Sequence, residues 1–218
     1  MRVVIVGARF DGHGKVVLEI LQATGMFDVV GFVDDDPAKR HDTIRGVPVI
    51  GTTSDFVRLR EEDGVQGGIV AIAANSQRRR LARMIEEAKL ELINAIHPTV
   101  HLDSDVVLGR GIVLCQGVIV IAGTRIGDCV NIHTGATIDH DNIIESGANL
   151  GPGVHTAGRV RIGQDAFVGT GAVFIPDVVV GEGAVVGAGA VVIRNVPPFD
   201  RVAGVPARSI LKSDSKEQ

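Results

Sequence analysis

The 218-residue chain contains no tryptophan and no tyrosine, and its only aromatic residues besides histidine are seven phenylalanines. A core without large rings must be built from aliphatic side chains, so it is expected to be narrow and regular. The stacking platforms used by single-strand nucleic-acid binders are missing as well. No long run of Lys or Arg occurs and the formal net charge is −4, which removes the electrostatic footprint of a nucleic-acid or anionic-membrane binder. Apolar stretches are all interrupted by Gly, Asp or Arg before the ~20 residues of a membrane span. The opening MRVVIVG lacks the apolar region and cleavage site of a signal peptide. Only two cysteines are present, Cys115 and Cys129, too few for a disulfide framework, so a cytoplasmic protein with reduced thiols is expected. Glycine is the opposite case: 28 residues, about twice its usual share.

The first half reads as α/β. Apolar runs at Arg2–Val6, Val29–Val33, Val47–Ile50, Ile69–Ala73 and Leu92–Ile96 predict strands. Helical stripes cover Lys15–Thr24, Ser54–Glu62 with Ser54 as N-cap, and a segment from Ser76 to about Lys89 with Ser76 as cap. Strands alternating with helices imply a parallel sheet with right-handed crossovers. The turn Gly7–Gly14 (GARFDGHG) joins the first strand to the first helix, where free N–H groups and the helix dipole favour an anion. Asp34, Asp35 and Asp36 follow the second strand, where an acid can hold a ribose hydroxyl. The glycines do not follow G-x-G-x-x-G, and about 95 residues is short for a dinucleotide fold. A mononucleotide or sugar-nucleotide site fits better than a nicotinamide site.

The second half is periodic. From Leu102 to Val192 every sixth residue is apolar at fifteen of sixteen places, with Thr156 the one departure. Four places further on, small residues recur, among them Ala136, Ala148, Ala166, Ala172, Ala184 and Ala190. This is the signature of a parallel β-helix with three six-residue units per coil and about five coils. Residues 18 apart then stack in columns. Cys115 and His133 share a column, whereas Cys129 lies on another face, so no disulfide is expected within the chain. Numbering the faces from the Leu102 stack, His133 and His155 are expected on the third and His140 on the first. Residues 195–210 leave the repeat and are expected to cap its open end. The chain thus divides into an α/β unit (1–96), a β-helix (97–194) and a C-terminal cap and tail (195–218).

The hexapeptide array followed by Val202–Ala207 (VAGVPA) resembles the left-handed β-helix acyltransferases. The GHGKV segment at Gly12–Val16, FVDD at Phe32–Asp35, TIDHD at Thr137–Asp141 and GPGVHTAGRVRIG at Gly151–Gly163 resemble one branch of them. That branch comprises bacterial N-acetyltransferases of nucleotide-linked 4-amino-4,6-dideoxy sugars and the related sialic-acid O-acetyltransferases. The resemblance implies a left-handed coil, a homotrimer with active sites between neighbouring β-helices, acetyl-CoA as co-substrate and no metal. It makes His140 the general base and Asp141 its orienting carboxylate. Substrate binding falls to Gly12, His13, Gly14, Lys15, Asp34, Asp35 and His133. Acetyl-CoA binding falls to Asn149, Ala157, Gly158, Ala188, Gly204 and Arg208. The glycine turn is two residues longer than the family's GASGHGK form, and His133 and Asn149 stand where the family usually has Asn and His.

An imidazole titrating near 6.5 suits proton removal from an attacking amine. Strand alternation alone would point Asp139 and Asp141 away from the face of His140, so Asp141 serves only if the corner bends it back. Two rivals have footing in the residues: a γ-carbonic-anhydrase-like zinc site built from His133, His140 and His155, and a non-enzymatic nucleotide-sugar-binding trimer.

Overall fold

The computed structural model describes residues 1–9 and 12–211; Phe10 and Asp11 of the glycine turn and the 212–218 end of the tail lie outside the described residues. The first unit contains β1 (Arg2–Val6), α1 (Gly14–Thr24), β2 (Asp28–Val33), β3 (Thr43–Ile44), β4 (Val47–Gly51), α2 (Phe56–Glu61), β5 (Gly67–Val70), α3 (Asn75–Glu87) and β6 (Glu91–Leu92). Its strand order is β3-β4-β2-β1-β5-β6, parallel except for the β3–β4 hairpin. Helices cover both sheet faces. On one side Val17, Leu18, Ile20 and Leu21 of α1 pack on Val3, Ile5 and Ile69. On the other, Phe56 and Leu59 of α2 and Leu81 and Ile85 of α3 pack on Val4, Val6 and Val70. No helix among the described residues is long and apolar enough to cross a membrane.

Three local expectations are corrected. Thr52, not Ser54, caps the second helical segment: its hydroxyl and Asp55 form a capping box over a 3₁₀ turn at Thr53–Asp55, and α2 follows. The third helix starts at Asn75 rather than after a Ser76 cap, because Asn75 is held by a tertiary contact, donating to Asp165 O and Ala166 O across the unit boundary. The run Leu92–Ile96 is two strands, not one. Leu92 closes the first sheet beside β5, whereas Ala95–Ile96 pairs with Val113–Leu114 as the first rung of the coil.

From there two-residue strands wind through three parallel stacks. The first face carries His101–Leu102 through Val191–Val192, the second Val107–Leu108 through Val179–Val180, and the third Ala95–Ile96 through Val185–Val186. From Ala95 to Val192 successive rungs pair at an offset of 18 residues, as in Val113 with Asn131 and Asn131 with Asn149. The second residue of each rung points inward, giving a single aliphatic column set that includes Leu114, Ile132, Leu150 and Val168, all fully buried. Such side chains contribute about 1.5–3 kcal/mol each on burial. His155 is a further correction: it lies on the first face, opposite Thr137 and Val173, not on the third. The C-terminal segment does not leave the repeat at once. Val196 bridges to Val180, and Arg201–Ala203 adds a parallel rung on the third face before Arg208–Ser209 turns back antiparallel and finishes the edge.

The two units are joined by a buried cation. Arg78 on α3 is fully buried and donates to Cys129 O (2.9 Å), Gly147 O (2.8 Å) and Ile72 O (3.0 Å) and to Asn75 Oδ1 (3.1 Å). Arg79 beside it is ion-paired with Asp165. A buried acceptor left without its donor costs about 1–3 kcal/mol. Arg78→Ala, which leaves the Cys129, Gly147 and Ile72 carbonyls without this donor, is expected to lower stability by at least about that amount. Denaturant unfolding checks this, and loss of a single cooperative transition would show that the α/β unit has uncoupled from the coil.

Candidate active site

The glycine turn sits at the C-terminal edge of the sheet. Gly14 opens α1 at a place where an added Cβ would stand 2.5 Å from Gly7 O and 3.1 Å from the Phe32 ring, so the helix can approach β1 only without a side chain there. Gly7, Arg9, Gly12, His13, Gly14, Asp34, Lys39 and the 71–74 segment enclose a cavity of about 600 Å³. Lys15 is half-buried on the first turn of α1. Asp34 ties this loop down, accepting from Ala8 N (2.6 Å), Asp36 N (3.0 Å) and Lys39 Nζ (3.1 Å). Burial alone would raise the Asp34 carboxyl, but these N–H groups and the Lys39 ammonium outweigh it and hold it below the usual carboxylate range. Lys39, absent from the sequence-based set, therefore brings a cation to the cavity; its signal was only its position behind the acids, in PAK. A second cavity of about 520 Å³ adjoins through Asp34 and is lined by Asp35, Asp36, Arg40, Thr52, Asp55 and Arg58. Asp35 accepts there from Thr53 N (2.7 Å) and Thr53 Oγ1 (3.0 Å).

Where α1 meets the third face, the seam is polar. The His13 and His133 rings lie 4.8 Å apart, and His133 Nε2 pairs with Asn149 Oδ1 at 3.0 Å. Burial, then the neighbouring His133 and Arg78, push the His13 imidazole down to about 3. Burial also lowers His133, opposed by the Asn149 bond. Both rings are therefore neutral at physiological pH, and His13 Nε2 and the whole Asn131 amide have no partner among the described residues. His13, Cys115 and His133 each offer one ligand atom within 4.8 Å of one another. Burial also pushes the Cys115 thiol up to about 11, so it is protonated. Cys129 is free and buried as well.

His140 is elsewhere, on the corner between the first and second faces. Its Nδ1 is 2.8 Å from Asp141 Oδ2, and its backbone N donates to Asp139 Oδ1 at 2.8 Å. Asp141 makes this contact because its φ is +58°, a left-handed corner that swings the side chain back toward its neighbour. Strand alternation does not govern the corner, and the carboxylate meets the imidazole after all. One coil further on, Ala157 and Gly158 lie beside it. A Cβ at Gly158 would overlap the His140 ring near Nε2, so glycine is required by the imidazole's approach rather than by a positive φ. Among the described residues none accepts from Gly158 N. Beneath the corner, buried Asn142 donates from Nδ2 to Asp139 O (2.6 Å), Ala157 O (3.0 Å) and His140 O (3.2 Å), while its Oδ1 has no partner. An orphaned buried acceptor of this kind costs about 1–3 kcal/mol.

The chain thus brings together His140, Asp141, Ala157 and Gly158 in one place and Gly12, His13, Gly14, His133 and Asn149 in another. Asn149 lies under the α/β unit with His133, not beside Gly158. Ala188, Gly204 and Arg208 are exposed toward the C-terminal end, Arg208 donating to Ala207 O. The three histidines of the zinc alternative do not converge within the chain: His133 binds Asn149, His140 binds Asp141, and His155 Nδ1 pairs with Thr137 Oγ1 at 2.7 Å.

Known proteins were compared with this geometry. The PglD N-terminal domain family matches residues 2–85, and the bacterial transferase hexapeptide (six repeats) family matches residues 159–194. Among solved structures, a mutant of perosamine N-acetyltransferase from Caulobacter crescentus, in complex with CoA and GDP-perosamine, superposes with a TM-score of 0.91 at 40% identity over 98% of both chains. The acetyltransferase domain of PglB from Neisseria gonorrhoeae, in complex with acetyl coenzyme A, gives 0.89 at 33% identity over 96% of this chain and 98% of that one. WeeI from Acinetobacter baumannii gives 0.86 at 26% identity, covering 96% and 100%. A comparison with curated proteins gives no match. The chain belongs to the hexapeptide-repeat sugar N-acetyltransferases, a family with an N-terminal Rossmann-like domain and a left-handed β-helix.

Two expectations follow from the site. Gly158→Ala should displace the His140 ring and lower kcat by at least tenfold while the coil stays folded, as steady-state kinetics and circular dichroism would show. The second concerns pH. Folded His13 stays neutral down to about pH 3, whereas an unfolded histidine protonates near 6.5. Between those values the unfolded chain binds more protons, so this contribution is complete above pH 6.5 and is lost as pH falls toward 3. Thermal melts at pH 7 and pH 5 should show the loss, and His13→Gln, which does not titrate, should reduce it.

Proposed function

We propose that His140 is the general base of an acetyl-CoA-dependent N-acetyltransferase acting on the 4-amino group of a nucleotide-linked 4-amino-4,6-dideoxy sugar. The observation that carries this reading is the His140–Asp141 pair beside an unengaged Gly158 N–H. It stands on a chain 40% identical, over 98% of its length, to an N-acetyltransferase solved with CoA and GDP-perosamine. Asp141 holds Nδ1–H and so presents the Nε2 lone pair. The sugar amine attacks the thioester carbonyl as Nε2 takes its proton. The carbonyl oxygen becomes an oxyanion, for which Gly158 N–H is the nearby donor. Collapse of the tetrahedral intermediate breaks the C–S bond, and the coenzyme A thiolate leaves with the proton returned by the imidazolium.

The diphosphate is assigned to the glycine-turn cavity, where Arg9, Lys39 and the N-terminus of α1 face it, and the nucleoside to the adjoining acid-lined cavity. Acetyl-CoA is assigned to the corner of Ala157 and Gly158 and runs toward Ala188, Gly204 and Arg208. The nucleotide cavity and His140 flank opposite edges of the first face. Within one chain His133, which meets His13 at that cavity, is separated from His140 by the Thr137–Ile138 rung and the turns on either side of it. A neighbouring copy that sets its His140 corner against this chain's nucleotide cavity closes that gap, which supports a homotrimer with shared sites. Two buried, unpaired cysteines fit the reducing cytoplasm.

The test is coenzyme A release across 4-amino-4,6-dideoxy sugars linked to GDP, UDP and dTDP, GDP-perosamine first. His140→Ala should lower kcat by about 10²–10⁴, the range for a lost general base. Near-wild-type kcat in that variant removes His140 from the role. Light scattering should return three times the 22.9 kDa chain mass.

A further inference from the structure

Besides Thr156 in a rung column, a second interior column breaks the aliphatic rule within the repeat. Val106, Val160, Val178 and Val196 occupy the position that follows each corner between the first and second faces, but Thr124 and Asn142 stand in the same column. Both are fully buried. A valine at 142 would match its neighbours and remove the orphaned Oδ1; Asp139 O would keep Thr124 Oγ1 and His140 O would keep Arg159 N, and only Ala157 O, on the next coil, would lose its donor. What Asn142 does is specific to its place. Its three carbonyl partners fix its orientation, because only Nδ2 can donate. Two of those carbonyls, Asp139 O and His140 O, belong to the corner that carries the imidazole. The third, Ala157 O, belongs to the next coil. In a planar trans peptide C=O and N–H point in opposite directions. With Ala157 O drawn inward to Asn142, the Gly158 N–H of the same peptide is turned outward, on the side where His140 approaches Gly158. Thr124 supports the arrangement from below, donating to Asp139 O at 2.9 Å and accepting from Asn142 N at 3.2 Å.

We infer that Asn142 is a positioning residue that sets the His140 imidazole and the Gly158 N–H in fixed relation across two coils. The inference rests on the proposed roles of His140 and Gly158. Asn142 touches neither substrate nor coenzyme; it acts through the backbone of both groups. Its unpartnered Oδ1 is the stability cost of placing a double donor where an aliphatic residue would pack.

The test is Asn142→Val in the full-length protein, with both KM values, kcat and Tm measured. One orphaned oxygen replaces another, so the expected result is a Tm within a few degrees of wild type and a kcat lowered tenfold or more, with both KM values within about threefold. Asn142→Thr, which keeps one donor, should fall between wild type and the valine variant. A kcat within twofold of wild type for Asn142→Val overturns the inference. So does a lower Tm accompanied by a rise in both KM values, since the residue would then be holding up the coil rather than aligning the site. His140→Ala, run in parallel, separates the two readings. If it remains active, the general-base assignment fails. If it is inactive while Asn142→Val is normal, only the positioning role fails.

Discussion

Coil-to-coil hydrogen bonding at an 18-residue offset governs this molecule. Each two-residue rung donates to the coil after it, as in Val113 N to Val130 O and Asn131 N to Ala148 O, and the backbone of one coil is satisfied only by its neighbours in strict register. Register places His140 against Gly158, His133 in the column of Cys115, and Arg159 against Asp177, where the guanidinium is bidentate. The α/β unit depends on the same ladder. Arg78 reads the carbonyls of Cys129 and Gly147, which are one coil apart, so the α/β unit with its glycine-turn cavity is anchored to a surface whose spacing the coil sets.

Chemistry is concentrated at positions where the repeat departs from its own rule. Asp141 has a left-handed backbone at a corner and turns its carboxylate onto His140. Asn142 puts an amide among valines. Asn131 and Asn149 point outward from the third face, yet both are buried, because α1 and α3 cover them. The result is two polar centres, one open at a corner and one enclosed in a seam, on opposite sides of a face that carries His101, Ile119 and Thr137.

Much of this was legible before any coordinates. The period of six survived without a slip from Leu102 to Val192, because one inward aliphatic per rung is a physical requirement that leaves a direct mark on sequence. The strand–helix alternation of the first half was equally readable. What escaped was set by contacts distant in sequence. Asn75 begins α3 because it meets Asp165 and Ala166, about 90 residues away. Ala95–Ile96 belongs to the coil because Val113–Leu114 offers it a partner. Strand alternation misjudged Asp141 because the corner inverts φ, and the sequence there shows only DHD. Arg78 is one of three consecutive arginines, and nothing local distinguishes the one that is buried.

The imidazole at 140 and the glycine at 158 are neighbours only because one coil is 18 residues long. A gene encoding such a coil has its own reading unit: insertions or deletions between His140 and Gly158 keep the two opposed only as whole coils. Loss of a single residue would leave most of the aliphatic pattern intact by sliding it, yet would set His140 opposite a different neighbour. Length variation among relatives should therefore collect in the glycine turn and the C-terminal segment, and divergence within the coil should proceed by exchange of side chains alone.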